Sequence, residues 1–250
     1  MIFFGNTKRE KKAFFAGIAL SGFFILASTS GRGLLPEAEA SSGSTHEEYC
    51  FEVPPPEELT SFAPEDVLFL AIQRCRNLDA YRCRLTLHLT KGERIQNSEY
   101  VFSYKKPNLI RMEVKGGKDR GSTVILREDG CIRARREGLL SLFAITMKPD
   151  DQRLYDLWDR FFCDSDWLTL LSETMERMQE VQHIEVSAVN GGEQILLVSD
   201  SKDFTEKTWL DSERLILLEK QAQLANGDSL QAVWSDIDLN PVFEEGFFHF

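Results

Sequence analysis

Two hydrophobic periods alternate along the chain beyond residue 64. Over residues 64–78, Val67, Leu68, Ala71, Ile72, Cys75 and Leu78 recur at three- and four-residue intervals, which puts them on one stripe of an α-helix. Pro64 suits the first helical position, and Glu65 and Asp66 suit the positive end of a helix dipole. The period then drops to two. In YRCRLTLHLT, residues 81–90, Cys83, Leu85, Leu87 and Leu89 point one way, and Arg82, Arg84, Thr86, His88 and Thr90 point the other. Strict alternation predicts a half-buried antiparallel strand. After the Lys91-Gly92-Glu93 turn, Tyr100, Phe102 and Tyr104 share a face, and after Lys106-Pro107-Asn108 so do Ile110, Met112 and Val114. Two further strands, over residues 121–127 and 131–135, flank Glu128-Asp129-Gly130, a hairpin signal of the Asp-Gly kind.

The middle of the chain returns to helical spacing. Leu154, Leu157, Trp158 and Phe161 predict one helix over residues 152–162, and Trp167, Leu170, Leu171, Met175 and Met178 a second over 166–179, with Asp164 and Ser165 at its N-cap. Residues 139–147 fit a strand or a lid-like loop. Five more strands follow, over residues 181–189, 193–200, 206–210, 214–224 and 229–236, separated by Asn190-Gly191-Gly192, Asp211-Ser212 and Asn226-Gly227-Asp228. The aromatic tail LNPVFEEGFFHF is expected to pack back on the body. The order is therefore helix, about five strands, helices, about five strands. Tight turns between consecutive strands make an antiparallel meander, and one-striped helices must cover its apolar face. The expected class is α+β: a curved antiparallel sheet forming an unclosed barrel covered by helices.

The first forty residues follow another logic. Lys8, Arg9, Lys11 and Lys12 precede AFFAGIALSGFFILA, and Ala38-Glu39-Ala40 offers a small-residue cleavage site. The apolar run is short for a membrane span, which needs about 20 residues, and suits an export signal. An uncleaved N-terminal anchor is the other reading, because the run lies far from the cleavage site. The predicted organisation is 1–40 export signal or anchor, 41–63 linker rich in Ser, Gly and Pro, and 64–250 the folded domain, with a helical insertion at about 150–179. Export permits disulfides. Cys50, Cys75, Cys83, Cys131 and Cys163 show no C-x-x-C spacing and are odd in number, so some buried thiols and at most one bridge are expected, not a metal site or a catalytic thiol.

Composition narrows the functions. With 29 Lys+Arg against 40 Asp+Glu and a net charge of −11, the chain lacks the basic excess that nucleic-acid binding draws on. His46, His88, His183 and His249 have no ligand spacing to one another or to a cysteine. No G-x-S-x-G occurs, and Gly116–Ser122 lacks the order of a phosphate loop and joins strand to strand. Asp150-Asp151 and Asp164/Asp166 read as helix starts, and His183 with Glu185 as a polar pair on a strand. No catalytic residue, metal or cofactor is expected. Arg133, Arg135 and Arg136 read first as a solvated strand end, with anionic lipid head groups as the alternative. Eighteen Phe and four Trp are many for so acidic a chain; they fill a core or line an apolar pocket.

The sequence YKKPNLIRMEV, residues 104–114, followed by STVILREDG, residues 122–130, resembles the LolA-like family of periplasmic lipoprotein carriers and outer-membrane lipoprotein-sorting proteins. The preceding helix and strand, and the C-terminal LDSERLILLEKQAQLANGDSL and WSDIDLNPVFEEGFFHF, resemble it too, so the likeness spans residues 64–250. It implies an unclosed antiparallel barrel with a helical lid over an apolar cavity. It also implies binding of lipoprotein acyl chains or another lipid in the periplasm. The cavity would be lined by Leu85, Leu87, Leu89, Tyr100, Phe102, Tyr104, Ile110, Met112 and Val114, with Lys106, Pro107 and Asn108 at the lid or rim. Where the family has an arginine before the proline, this chain has Lys106, which lacks the planar fork. A regulatory or scaffold module binding an envelope protein partner is the alternative on the same fold.

Overall fold

The computed structural model describes residues 53–138, 143–179, 181 and 183–250. The expected export segment, most of the expected linker, Cys50 and residues 139–142 lie outside the described residues. One antiparallel sheet of eleven strands organises the rest. Its strands are β1 (Ala80–Lys91), β2 (Arg94–Lys105), β3 (Leu109–Gly116), β4 (Ser122–Leu126), β5 (Ile132–Arg136), β6 (Ile145–Met147), β7 (His183–Val189), β8 (Gln194–Asp200), β9 (Phe204–Asp211), β10 (Leu217–Leu224) and β11 (Ser229–Leu239). The order β6-β5-β4-β3-β2-β1-β11-β10-β9-β8-β7 makes two meanders, joined where β1 pairs with β11. The edge strands β6 and β7 do not pair, so the barrel is unclosed.

Register carries the expected alternation across the sheet. Leu85 lies opposite Tyr100 on one side and Trp234 on the other, and Tyr100 opposite Val114. Met112, Val124, Ala134 and Ile145 continue a parallel row. These residues all face the inner side, and a one-residue slip would turn each of them outward. On the outer side, Arg84 bridges Glu99 and Asp236, the latter at 2.8 Å.

The helices cover half of this inner face. α1 (Pro56–Leu59) is a single turn within the expected linker, yet Leu59 is fully buried. α2 (Pro64–Asn77) buries the stripe read from the sequence: Val67, Leu68, Ala71, Ile72 and Cys75. α3 (Trp167–Met178) is capped by Asp166, two residues after Asp164; Asp166 Oδ1 accepts from Thr169 N–H at 3.0 Å. Both long helices join the inner residues of β1, β2 and β8–β11 in one apolar cluster.

A helix over residues 152–162 does not form. Only a 3-10 turn at Gln152–Leu154 appears, followed by a tight loop closed by a Tyr155–Phe161 bridge. The Asp156 carboxylate accepts from the N–H groups of Trp158 and Arg160 at 2.8 and 3.0 Å. Asp159 takes a left-handed φ of 61°. Short acidic side chains satisfy the backbone locally and so compete with the helix. The apolar spacing there serves a loop, with Leu154 buried beneath it.

The tail packs back on the outer side. Arg111 donates to the Phe247 carbonyl at 2.8 Å and lies over the Phe247 ring, and Arg133 donates to the Phe250 carbonyl at 3.3 Å. Ile125 sits in register between these two arginines and has no exposed surface.

Candidate functional site: an apolar cavity

Beside the packed half of the inner face lies a cavity of about 1280 Å³, above the roughly 300–1,000 Å³ of drug-sized sites. Leu85, Leu87, Tyr100, Met112, Val114, Val124 and Ala134 form its floor. Trp234 and Leu170 form the wall toward the packed half, and residues 152–157 with Arg160 and Phe162 pass over it. The cavity exists because α3 is placed to one side. Trp167 stacks on Tyr81 with ring centres 3.9 Å apart and planes 2° apart, and its N–H donates to Tyr81 Oη at 3.0 Å. This anchors the helix over the start of β1, and the chain reaches it through the loop instead of a second helix.

The residues expected to line a cavity therefore divide. Leu85, Leu87, Tyr100, Met112 and Val114 line it. Leu89, Phe102 and Ile110 do not; they are buried in the apolar cluster. Tyr104 packs against that cluster and stacks with Tyr81 at 5.3 Å. Tyr81 and Trp167 fill the end where Phe102 and Tyr104 lie, Leu89 lies at the other end of β1 opposite Gln96 and Leu230, and alternation alone does not distinguish a residue under a packed element from one under open space.

Lys106, Pro107 and Asn108 turn the chain between β2 and β3, whereas the cavity draws on the opposite end of β2, residues 94–100. Lys106 is a positioning contact for α2's exit: its Nζ pairs with Asp79 at 3.2 Å and its N–H donates to the Asp79 carbonyl at 2.8 Å. The overlying loop is held elsewhere. Leu157 N–H donates to Gln96 Oε1 at 2.9 Å, Trp158 Nε1–H to the Thr90 carbonyl at 2.9 Å, and Lys91 pairs with Asp159 at 2.6 Å. These latch residues carry no sequence signal, because Gln96 reads as an ordinary polar strand residue. Trp234 was not named from the sequence, although Leu230, Ala232 and Trp234 alternate as the residues of β1 do.

Several titratable groups of the fold are tied up in structure. Arg153 holds Asp151 down to about 2 through side-chain and backbone hydrogen bonds. Burial pushes the Cys75 thiol up to about 12 and the Cys83 thiol higher still, so neither is a nucleophile at neutral pH. All four described cysteines are free. Under α3, Lys220 and Glu206 pair at 2.9 Å, both nearly inaccessible, with Thr174 bonded to each and Arg177 Nη2 at 2.9 Å from Glu206. Every partner in this group is satisfied, as a structural network requires. Among the described residues no three His, Cys, Asp or Glu side chains gather as a metal site would need, and no helix is long and apolar enough to cross a membrane.

No family model matches the chain, and no curated protein matches it. Solved structures do. A DUF1329 family protein from Desulfovibrio piger aligns at 9% identity over 78% of this chain and 98% of its own, with a TM-score of 0.43. A LolA superfamily protein from Nitrosomonas europaea aligns at 9% identity over 74% and 97%, with a TM-score of 0.39. The Mycobacterium tuberculosis lipoprotein LppX aligns at 10% identity over 72% and 97%, with a TM-score of 0.39. The chain's own sheet order and unpaired edges define its fold.

Proposed function

We propose that this protein is an exported, non-enzymatic binding protein of the cell envelope that shelters acyl chains, of a lipoprotein or of another lipid, during sorting or transport. One observation carries the reading: a cavity of about 1280 Å³ with an apolar floor, bounded by a sheet on one side and a latched loop on the other. Removing hydrocarbon from water favours occupancy by roughly 0.8 kcal/mol per buried CH₂, so an acyl chain is the natural guest of such a floor. Asp151 and Asp156 are engaged by Arg153 and Arg160, and burial raises the Cys75 and Cys83 thiols, which favours a binding role for this site. The test is lipid extraction and native mass spectrometry of the protein purified from an envelope fraction. Copurifying lipid near one molecule per chain is expected. Recovery of one defined protein partner and no lipid would replace this reading with the partner-binding alternative.

A further inference from the structure

The charge around the cavity runs against the charge of the molecule. The chain as a whole has a net charge of −11, yet six basic side chains, Arg94, Lys118, Arg135, Arg136, Arg153 and Arg160, line the cavity against two carboxylates, Asp119 and Asp156. Several of these are already engaged. Asp156 pairs with Arg160 at 3.0 Å, Arg153 with Asp151 at 2.6 Å, and Arg135 lies over the Phe250 ring. Arg94, Lys118 and Arg136 are exposed and have no ion-pair partner among the described residues.

These three come from separate elements that the sheet brings to one end. Arg94 opens β2, Lys118 lies in the turn between β3 and β4, and Arg136 closes β5. Register staggers them along one rim of the cavity: Gly116 lies opposite Glu99, five residues into β2 from Arg94, and Ser122 opposite Arg136. The β3–β4 turn is pressed onto β2, because Gly117 (φ 92°) leaves no room for a side chain against the Asn97 carbonyl. Lys118 is thereby carried to the mouth. Directly below this cationic end lie Val114, Tyr100, Val124 and Ala134. A low-dielectric wall beside unpaired cations focuses their field on whatever enters.

We infer that the cavity's ligand is an anionic amphiphile, whose hydrocarbon lies on the apolar floor and whose phosphate or carboxylate head is drawn to the cationic rim that Arg94, Lys118 and Arg136 form. This rests on the acyl-chain reading above and narrows it, since the diacylglyceryl group of a lipoprotein carries no charge beside its chains. Arginine offers the planar fork that matches phosphate and carboxylate oxygens, and lysine adds a point charge.

The test uses the full chain, stripped of lipid, with three probes of matched dioleoyl chains: phosphatidylglycerol, phosphatidylcholine and diacylglycerol. Phosphatidylglycerol is expected to bind about tenfold or more tighter than the other two, the effect of one charge-assisted hydrogen bond. The preference should shrink as salt rises from about 50 to about 500 mM. The triple variant Arg94→Gln, Lys118→Gln, Arg136→Gln should abolish the preference while leaving diacylglycerol binding and Tm unchanged. Equal binding of all three probes, or a preference that survives the triple variant, overturns the inference and leaves the acyl-chain reading standing. If glycerol 3-phosphate competes as well as the intact lipid, the site is one for soluble anions and the inference also falls. If none of the probes binds, the acyl-chain reading itself fails.

Discussion

The amide of Leu157 donates to Gln96 Oε1 at 2.9 Å, and this bond fixes the loop over the cavity to the strand that forms part of its floor. Trp158 and Asp159 add a bond to the Thr90 carbonyl and an ion pair with Lys91. The ion pair is largely exposed and contributes little, so the two hydrogen bonds hold the latch. Gln96→Ala is expected to cost about 1 kcal/mol of global stability. Its larger effect should be local: amide exchange at residues 155–160 accelerates, and release of a bound fluorescent fatty acid becomes several-fold faster. Unchanged exchange in that loop would show that Gln96 does not hold it.

At the packed end, Tyr81 is both a stacking partner and a hydrogen-bond acceptor for Trp167. Tyr81→Phe keeps the stacked ring and orphans a buried N–H, for a cost of about 1–3 kcal/mol. Trp167→Ala removes the largest fully buried side chain and should cost about 3–5 kcal/mol. Urea titrations followed by tryptophan fluorescence for the first variant, and by circular dichroism for the second, measure both.

The Lys220 cluster makes stability depend on alkaline pH. Burial lowers the Lys220 ammonium to about 8, with Arg177 and Arg160 adding to the effect while Glu206 opposes it. The unfolded lysine, near 10.5, binds more protons than the folded one between those values, so stability rises as pH climbs from about 8 to about 10.5. Below about 8 both states are protonated, and the full penalty of the buried ammonium is present. Glu206 acts in the opposite range. Burial pushes its carboxyl up, but Lys220, Arg177 and Thr174 together outweigh that and leave it lowered. Its contribution is thus present at neutral pH and lost as pH falls through the folded value. Lys220→Met should flatten the alkaline rise relative to the parent chain. Glu206→Gln leaves the ammonium and guanidinium facing each other uncompensated and should cost about 3–5 kcal/mol at pH 7. Denaturant midpoints taken across pH for the parent and both variants decide it.

Strand alternation, turn chemistry and the α2 stripe made the sheet and its order of elements legible, because each is a local property of consecutive residues. Residues 81–90 and 109–114 alternate in the sequence as they do in the fold. Residues 152–162 were misleading because their helical spacing competes with Asp156, whose carboxylate closes a loop instead. The cavity was legible only as an inner face. Leu85 and Leu89 have the same chemistry and the same orientation, and only the packing around each decides which of them lines the cavity. Arg94, Lys118 and Arg136 lie far apart in sequence and come to one cavity only through the fold, so no linear motif announces them.

The C-terminal tail is expected to be part of the folded body. Phe248 is buried between Phe243 and Phe247, and Arg111 and Arg133 reach the tail carbonyls. Phe248→Ala should cost about 3 kcal/mol, toward the low end for a buried Phe, and speed exchange at Ile125. A change below about 0.5 kcal/mol, the range of ordinary surface substitutions, would mean that the tail merely rests on the sheet.

Two substitutions to larger side chains separate the hollow half of the inner face from the packed half. Ala134 faces the cavity, whereas Ala222 sits in the apolar cluster at 6% exposure. Overpacking a filled core costs about 1–3 kcal/mol because neighbours must leave their rotamers. Ala222→Leu is expected to incur that cost. Ala134→Phe enters open space, so its stability should stay within about 0.5 kcal/mol of the parent, while the volume left for a guest shrinks. The chain-length optimum for fatty-acid binding should then shift to shorter acyl chains in Ala134→Phe and stay put in Ala222→Leu. Equal destabilisation by both would mean that the inner face is filled on both sides, and a packed interior has no room for an acyl chain.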